Sequence, residues 1–111
     1  MTPRYVPEAG DIVWLYFSPQ SGHEQAGHRP ALVLSPAIYN TKTDLMLCCP
    51  MTTHIKGYPF EVLITGGDER SVVLADQLKS LDWVARKARH KGQVTPAELS
   101  EVRAKICALI G

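Results

Sequence analysis

DIVWLYFSPQSGHEQAGHRPALVLSP, residues 11–36, consists of two apolar runs separated by a polar segment. In the first run, residues 11–17, β-branched and aromatic side chains follow one another almost without a break between Gly10 and the turn formers SPQSG. That composition predicts a buried strand. The second run, RPALVLS at residues 29–35, predicts another, and Pro30 confines it to a sheet edge or a strand start because proline has no N–H to give a ladder.

Outward from this pair the same signals recur. LMLCCPM at 45–51, FEVLI at 60–64, SVVL at 71–74 and QLKSL at 77–81 read as further strands, with turn formers such as GGDE between them. No intervening segment reads as a helix long enough for a parallel crossover, so the strands are expected to pair antiparallel in a small closed or half-closed barrel. The helix comes last. Thr95, Pro96 and Glu98 form a capping box with proline in the first turn, and Leu99, Val102, Ile106 and Leu109 then make one apolar face. The expected class is α+β, strands first and helix last, in one domain over residues 1–111.

Composition narrows the function. With 45% hydrophobic and 21% charged residues the chain reads as globular, and its apolar runs are far shorter than the roughly 20 residues that span a bilayer. No secretory leader is visible at the N-terminus, which makes the cytoplasm the expected location and a membrane partner unexpected. Three cysteines, two of them adjacent as Cys48 and Cys49, suit neither a disulfide framework nor a zinc site, and all three are expected to be buried. A net charge of +1 excludes a polyelectrolyte binder, so any attraction to nucleic acid must be local, as in RKARHK at residues 86–91.

Two loops concentrate reactive groups. Glu24, Gln25, His28 and Arg29 sit between the first two strands, and Thr52 and Thr53 lead from the third into HIKGYPF, which adds Lys56 and Tyr58. Loops carry polar residues for solvation alone, and paired threonines commonly bond their own turn. The mixture of a carboxylate, an imidazole, a planar cation and hydroxyls nevertheless matches what phosphodiester transfer needs. His23, His28 and His54 lack any zinc-binding spacing, so neither a metal nor another cofactor is expected. Trp14, Tyr16 and Phe17 read as core aromatics. Trp83, beside the basic run, reads as a candidate for stacking on a base, with Lys79 as a further contact.

Together these blocks carry a resemblance. GDIVWLYF, EQAGHRPALVLSP, PMTTHIKGYPFEV and LADQLKSLDW resemble, in the same order and over nearly the whole chain, the MazF branch of the MazF/PemK/CcdB toxin family. The resemblance implies an SH3-like β-barrel with a C-terminal helix, a homodimer, and a metal-independent endoribonuclease that cuts single-stranded RNA such as mRNA at short motifs. It also implies a cognate antitoxin whose acidic C-terminal segment lies across the RNA groove. Carried over, the family's reactive arginine falls on Arg29, its threonine on Thr52 and a glutamate implicated in activity on Glu24. Gln25, His28, Thr53, Lys56, Tyr58, Lys79 and Trp83 become the expected substrate contacts.

Such cleavage uses the RNA's own 2′-hydroxyl as nucleophile, leaving a 2′,3′-cyclic phosphate and a 5′-hydroxyl. Arg29 would meet the phosphoryl charge and Thr52 would fix the geometry, with Glu24 or His28 as the base. A competing reading comes from the CcdB branch, which poisons gyrase without nuclease activity. That branch relies on a tryptophan near the C-terminus, where this chain ends ICALIG. A relative that only binds an antitoxin is the third reading, and Glu24, Arg29 and Thr52 argue against it.

Overall fold

The computed structural model describes residues 4–16, 28–67 and 69–111. Along the chain run β1 (Asp11–Tyr16), β2 (His28–Val33), α1 (Ala37–Thr43), β3 (Leu45–Thr52), β4 (Glu61–Ile64), β5 (Ser71–Leu74), β6 (Lys79–Asp82), β7 (Arg89–Gln93) and α2 (Pro96–Ile110). Among the described residues every strand pairing is antiparallel, in the order β4-β5-β3-β2-β1-β7, with β6 also on β3.

The long strand β3 makes the sheet curl. Its first half, Leu45 to Cys48, pairs with β6, and its last residues, Met51 and Thr52, pair with β5. One strand thus belongs to two sheet segments, and the result is the expected half-barrel. Alternation of side chains then builds a core on each face. Ile12, Leu32, Cys49, Met51, Val62 and Val73 pack under α2 through Val102 and Ile106. Val13, Leu15, Ala31, Val33, Met46 and Cys48 point the other way, around Trp83. Burial on both faces explains why β1 and β2 look continuously apolar in the sequence instead of alternating.

α2 starts as expected: the Thr95 hydroxyl accepts from the Glu98 N–H at 3.1 Å, and the Glu98 carboxylate accepts from the Thr95 N–H at 2.9 Å. The same carboxylate accepts from the Thr65 N–H at 3.1 Å, tying the helix to the end of β4. The apolar face is shorter than the sequence suggests. Val102 and Ile106 are buried, but Leu109 is 51% exposed.

Several expectations need correction. β7 was legible only as a basic run; it is an edge strand with exposed side chains, a place where lysine and arginine block further pairing. α1 is short, has no side-chain cap, and leaves Ile38 67% exposed, so no helical apolar period marks it. It is held by its buried Asn40, whose Nδ2 donates to the Pro7 and Ser35 carbonyls at 2.8 and 3.0 Å and whose Oδ1 accepts from the Ser35 hydroxyl at 2.6 Å. Cys48 and Cys49 are buried, but Cys107 lies on the outer side of α2 and is exposed. No helix among the described residues is long and apolar enough to cross a membrane.

Candidate functional site

Pairing of β2 with β3 runs through Val33↔Cys48, Leu32↔Cys49 and Ala31↔Pro50. The pairing stops there, at Pro50, which has no N–H to give the ladder, and Arg29 and Thr52 lie just beyond it, near the start of β2 and at the end of β3. Arg29, Met51 and Thr52 there form a ridge shared by two clefts. The sequence separates Arg29 and Thr52 by a strand, a helix and another strand; the sheet makes them neighbours.

The first cleft, about 460 Å³, is lined beyond the ridge by His54, Lys56, Tyr58, Glu61, Gln77 and Lys79. Three cations, Arg29, Lys56 and Lys79, face it. Residues 53–60, which carry Lys56 and Tyr58, contain no helix or strand but are pinned at several points. The Thr52 hydroxyl oxygen accepts from the His54 N–H at 3.0 Å, which leaves the hydroxyl's own hydrogen to donate outward. Tyr58 Oη donates to Asp76 at 2.9 Å, and Lys105 Nζ donates to the Pro59 carbonyl. The hydrogen bond to the Asp76 carboxylate raises the Tyr58 pKa above the ordinary phenol value, so this hydroxyl stays protonated.

The second cleft, about 510 Å³, lies over the part of the β1–β2 face that α2 does not reach, and is lined by Trp14, His28, Thr53, Glu69, Ser71 and Lys91 with the ridge. The cross-strand pair Trp14↔Pro30, together with His28, builds its floor. The His28 ring stacks on Tyr16 at 5.0 Å and tilts against Trp14 at 4.9 Å. Its Nε2 is buried and meets no hydrogen-bond partner among the described residues. Lys91 Nζ lies 5.2 Å from the Trp14 ring centroid, a cation over an aromatic face.

Of the residues singled out from the sequence, Arg29, Thr52, Lys56, Tyr58 and Lys79 gather around the first cleft, and His28 and Thr53 line the second. Glu24, Gln25 and Phe17 lie outside the described residues. Trp83 does not belong to the site. It is 3% exposed in the core behind β3, its Nε1 donates to the Asn40 carbonyl at 2.9 Å, and the Arg4 guanidinium covers it at 5.0 Å. The aromatic surface at the clefts comes instead from the half-buried Trp14, which lines the second cleft and which the continuous apolar run had placed in the core, with Tyr16 beside it stacked on His28. Glu61 carried no sequence signal, since it sits in a strand that reads as apolar; Lys91 was legible only as the last residue of the basic run 86–91, not as part of a strand beside Trp14. Among the described residues no three His, Cys, Asp or Glu side chains gather as a metal-ligand set.

A family model for the PemK-like, MazF-like toxin of type II toxin–antitoxin systems matches residues 8–110. The chain is 57% identical to the endoribonuclease toxin MazF of Escherichia coli strain K12, over 100% of both chains. Among solved structures, MazF from Deinococcus radiodurans superposes with a TM-score of 0.86 at 53% identity, covering 97% of this chain and 99% of that one. A MazE–MazF crystal structure from the same organism also gives 0.86, at 48% identity, covering 97% and 98%.

Proposed function

The chain belongs to the PemK-like, MazF-like toxin family of type II toxin–antitoxin systems, and from that premise we propose that it is the toxin of such a pair, an endoribonuclease that cuts single-stranded mRNA at short motifs and so halts translation and growth. The observation that carries the reading at the level of the site is the Arg29–Thr52 ridge between two clefts. A strand lying across it places one phosphodiester on the ridge and a nucleotide on each side.

The chemistry follows from these groups. The 2′-hydroxyl attacks the adjacent phosphorus, the bond to the 5′-oxygen breaks, and a 2′,3′-cyclic phosphate and a 5′-hydroxyl result. Arg29 stabilises the charge that builds on the phosphoryl oxygens with a planar, permanently charged fork. Thr52 donates its free hydrogen to the same oxygens and holds the in-line geometry. Glu24 and His28 are the two candidates for the base that takes the 2′-hydroxyl proton. Cleavage by Glu24→Gln and His28→Gln across a pH series assigns the role to the one whose loss removes the acidic limb, the fall in rate as the base is protonated; unchanged profiles in both dismiss both.

Trp14 offers a base a stacking surface once Lys91 gives way, and Gln25, Thr53, Lys56, Tyr58 and Lys79 supply contacts around the ridge. The cations of the two clefts suit an acidic antitoxin segment as well as RNA, which supports inhibition by occlusion. We also infer a homodimer, supported by the exposed apolar side chains of Ile38, Leu109 and Ile110, and a cytoplasmic site of action, where mRNA is found. Light scattering that gives a monomer at micromolar concentration counts against the dimer.

The deciding experiment incubates the protein and Arg29→Ala with a long single-stranded RNA in EDTA and maps cut ends by primer extension. Discrete cuts that vanish in the variant establish the reading and reveal the motif. Intact RNA with the unaltered protein overturns it.

A further inference from the structure

A cleft that faces Arg29, Lys56 and Lys79 is suited to phosphate, yet it also carries the carboxylate of Glu61. An acid in that position repels a phosphate. Its charge is directed elsewhere. Glu61 Oε1 accepts from the Gly57 N–H at 2.7 Å, and Oε2 accepts from the Lys56 N–H at 3.0 Å. Its own N–H donates to the Tyr58 carbonyl at 3.1 Å, so side chain and backbone close a tight knot. The Lys56 amide, then that of Gly57, holds the carboxyl below the ordinary glutamate range. Gly57 has φ +87°, open to glycine, which lets two successive amides turn toward one anion.

We propose that Glu61 is a positioning residue for RNA cleavage, its carboxylate clamping the Lys56 and Gly57 backbone so that His54, Lys56 and Tyr58 stay in place against the bound strand. This rests on the endoribonuclease reading. The other anchors of residues 53–60 act near the ends, through Thr52 on one side and Ala75, Asp76 and Lys105 on the other. The middle, where Lys56 projects, depends on Glu61. With both oxygens occupied by amides, Glu61 is also a poor proton acceptor, which separates its role from that of the base.

The test is steady-state cleavage of a single-stranded RNA oligonucleotide carrying a mapped cut site, by the unaltered protein, Glu61→Gln and Glu61→Ala, with amide exchange at Lys56 and Gly57 followed by NMR. Gln replaces one acceptor oxygen with an NH₂ that cannot accept, so both variants break the clamp. The expected result is a KM raised on the order of fivefold, a kcat within about twofold, and exchange at the two amides faster by about tenfold. Partial unfolding would instead lower the apparent kcat and leave KM in place, and that pattern overturns the proposal. So do unchanged KM and exchange in both variants. Absence of cleavage by the unaltered protein refutes the nuclease reading and the clamp's role with it, whereas cleavage with unchanged variants refutes the clamp alone.

Discussion

Trp83→Phe separates a structural tryptophan from an RNA-binding one. The indole is 3% exposed and its Nε1 donates to the Asn40 carbonyl at 2.9 Å. That carbonyl also accepts from the Asp44 N–H at 3.0 Å, so the substitution leaves it one partner, and the loss is one net hydrogen bond, about 1 kcal/mol. The smaller ring leaves a void beside Leu81, Ala88 and the Arg4 guanidinium, worth about another 1 kcal/mol. A total of about 2 kcal/mol lowers the melting temperature of a domain this size by roughly 8–12 °C. Far-UV circular dichroism reads that shift without relying on tryptophan fluorescence. RNA cleavage measured where both proteins are folded should keep its KM within about twofold, because nothing at the clefts has changed. An unchanged melting temperature with a KM raised about tenfold would refute the reasoning and return Trp83 to the RNA-binding surface.

Other substitutions probe the site and the scaffold. Trp14→Ala should raise KM about tenfold, the worth of one base–aromatic stack, in cleavage assays run where both proteins are folded; because the half-buried ring also packs on His28, a lowered melting temperature accompanies it. Thr52→Ala should lower kcat by on the order of a hundredfold in single-turnover assays with the fold intact. In thiol labelling at pH 8, Cys107 should react in the folded protein while Cys48 and Cys49 wait for denaturant. Burial, and then the neighbouring thiol for Cys48 and Asp76 for Cys49, pushes both up to about 12. Glu98→Gln tests the sign of an acid effect. Partial burial opposes ionisation, but the amides of Thr95 and Thr65 outweigh it and hold the carboxyl below its ordinary 4.5. Its contribution is therefore present above that value and lost as pH falls through the lower folded-state one. Urea unfolding should show a cost of about 0.5–1 kcal/mol at pH 7, discounted for exposure, that disappears in strong acid.

The sequence by itself determined what depends on local patterning and chain order. β1 to β5 are written in runs of β-branched and aromatic residues, the start of α2 in its capping box, and the family in blocks that keep their order across the chain. Arg29, Thr52, Lys56 and Lys79 were legible because reactive side chains on loops and strand ends stand out against an apolar background. Only the tertiary structure decided which face each side chain meets. Trp14 sits in an apolar run and Trp83 beside a basic one, a local contrast that points opposite to where the fold puts them. One lies on the part of a sheet face that α2 fails to cover, and the other lies behind β3 with its N–H on the Asn40 carbonyl. Coverage by a distant helix leaves no trace in a strand's own residues, and neither does the β2–β3 pairing that brings Arg29 and Thr52 to the same clefts. β7 and α1 were missed for a related reason: exposed elements held by backbone pairing and by one buried asparagine need no apolar period. Glu61 belongs with them, since its function is written in two backbone amides and not in its own neighbours along the chain.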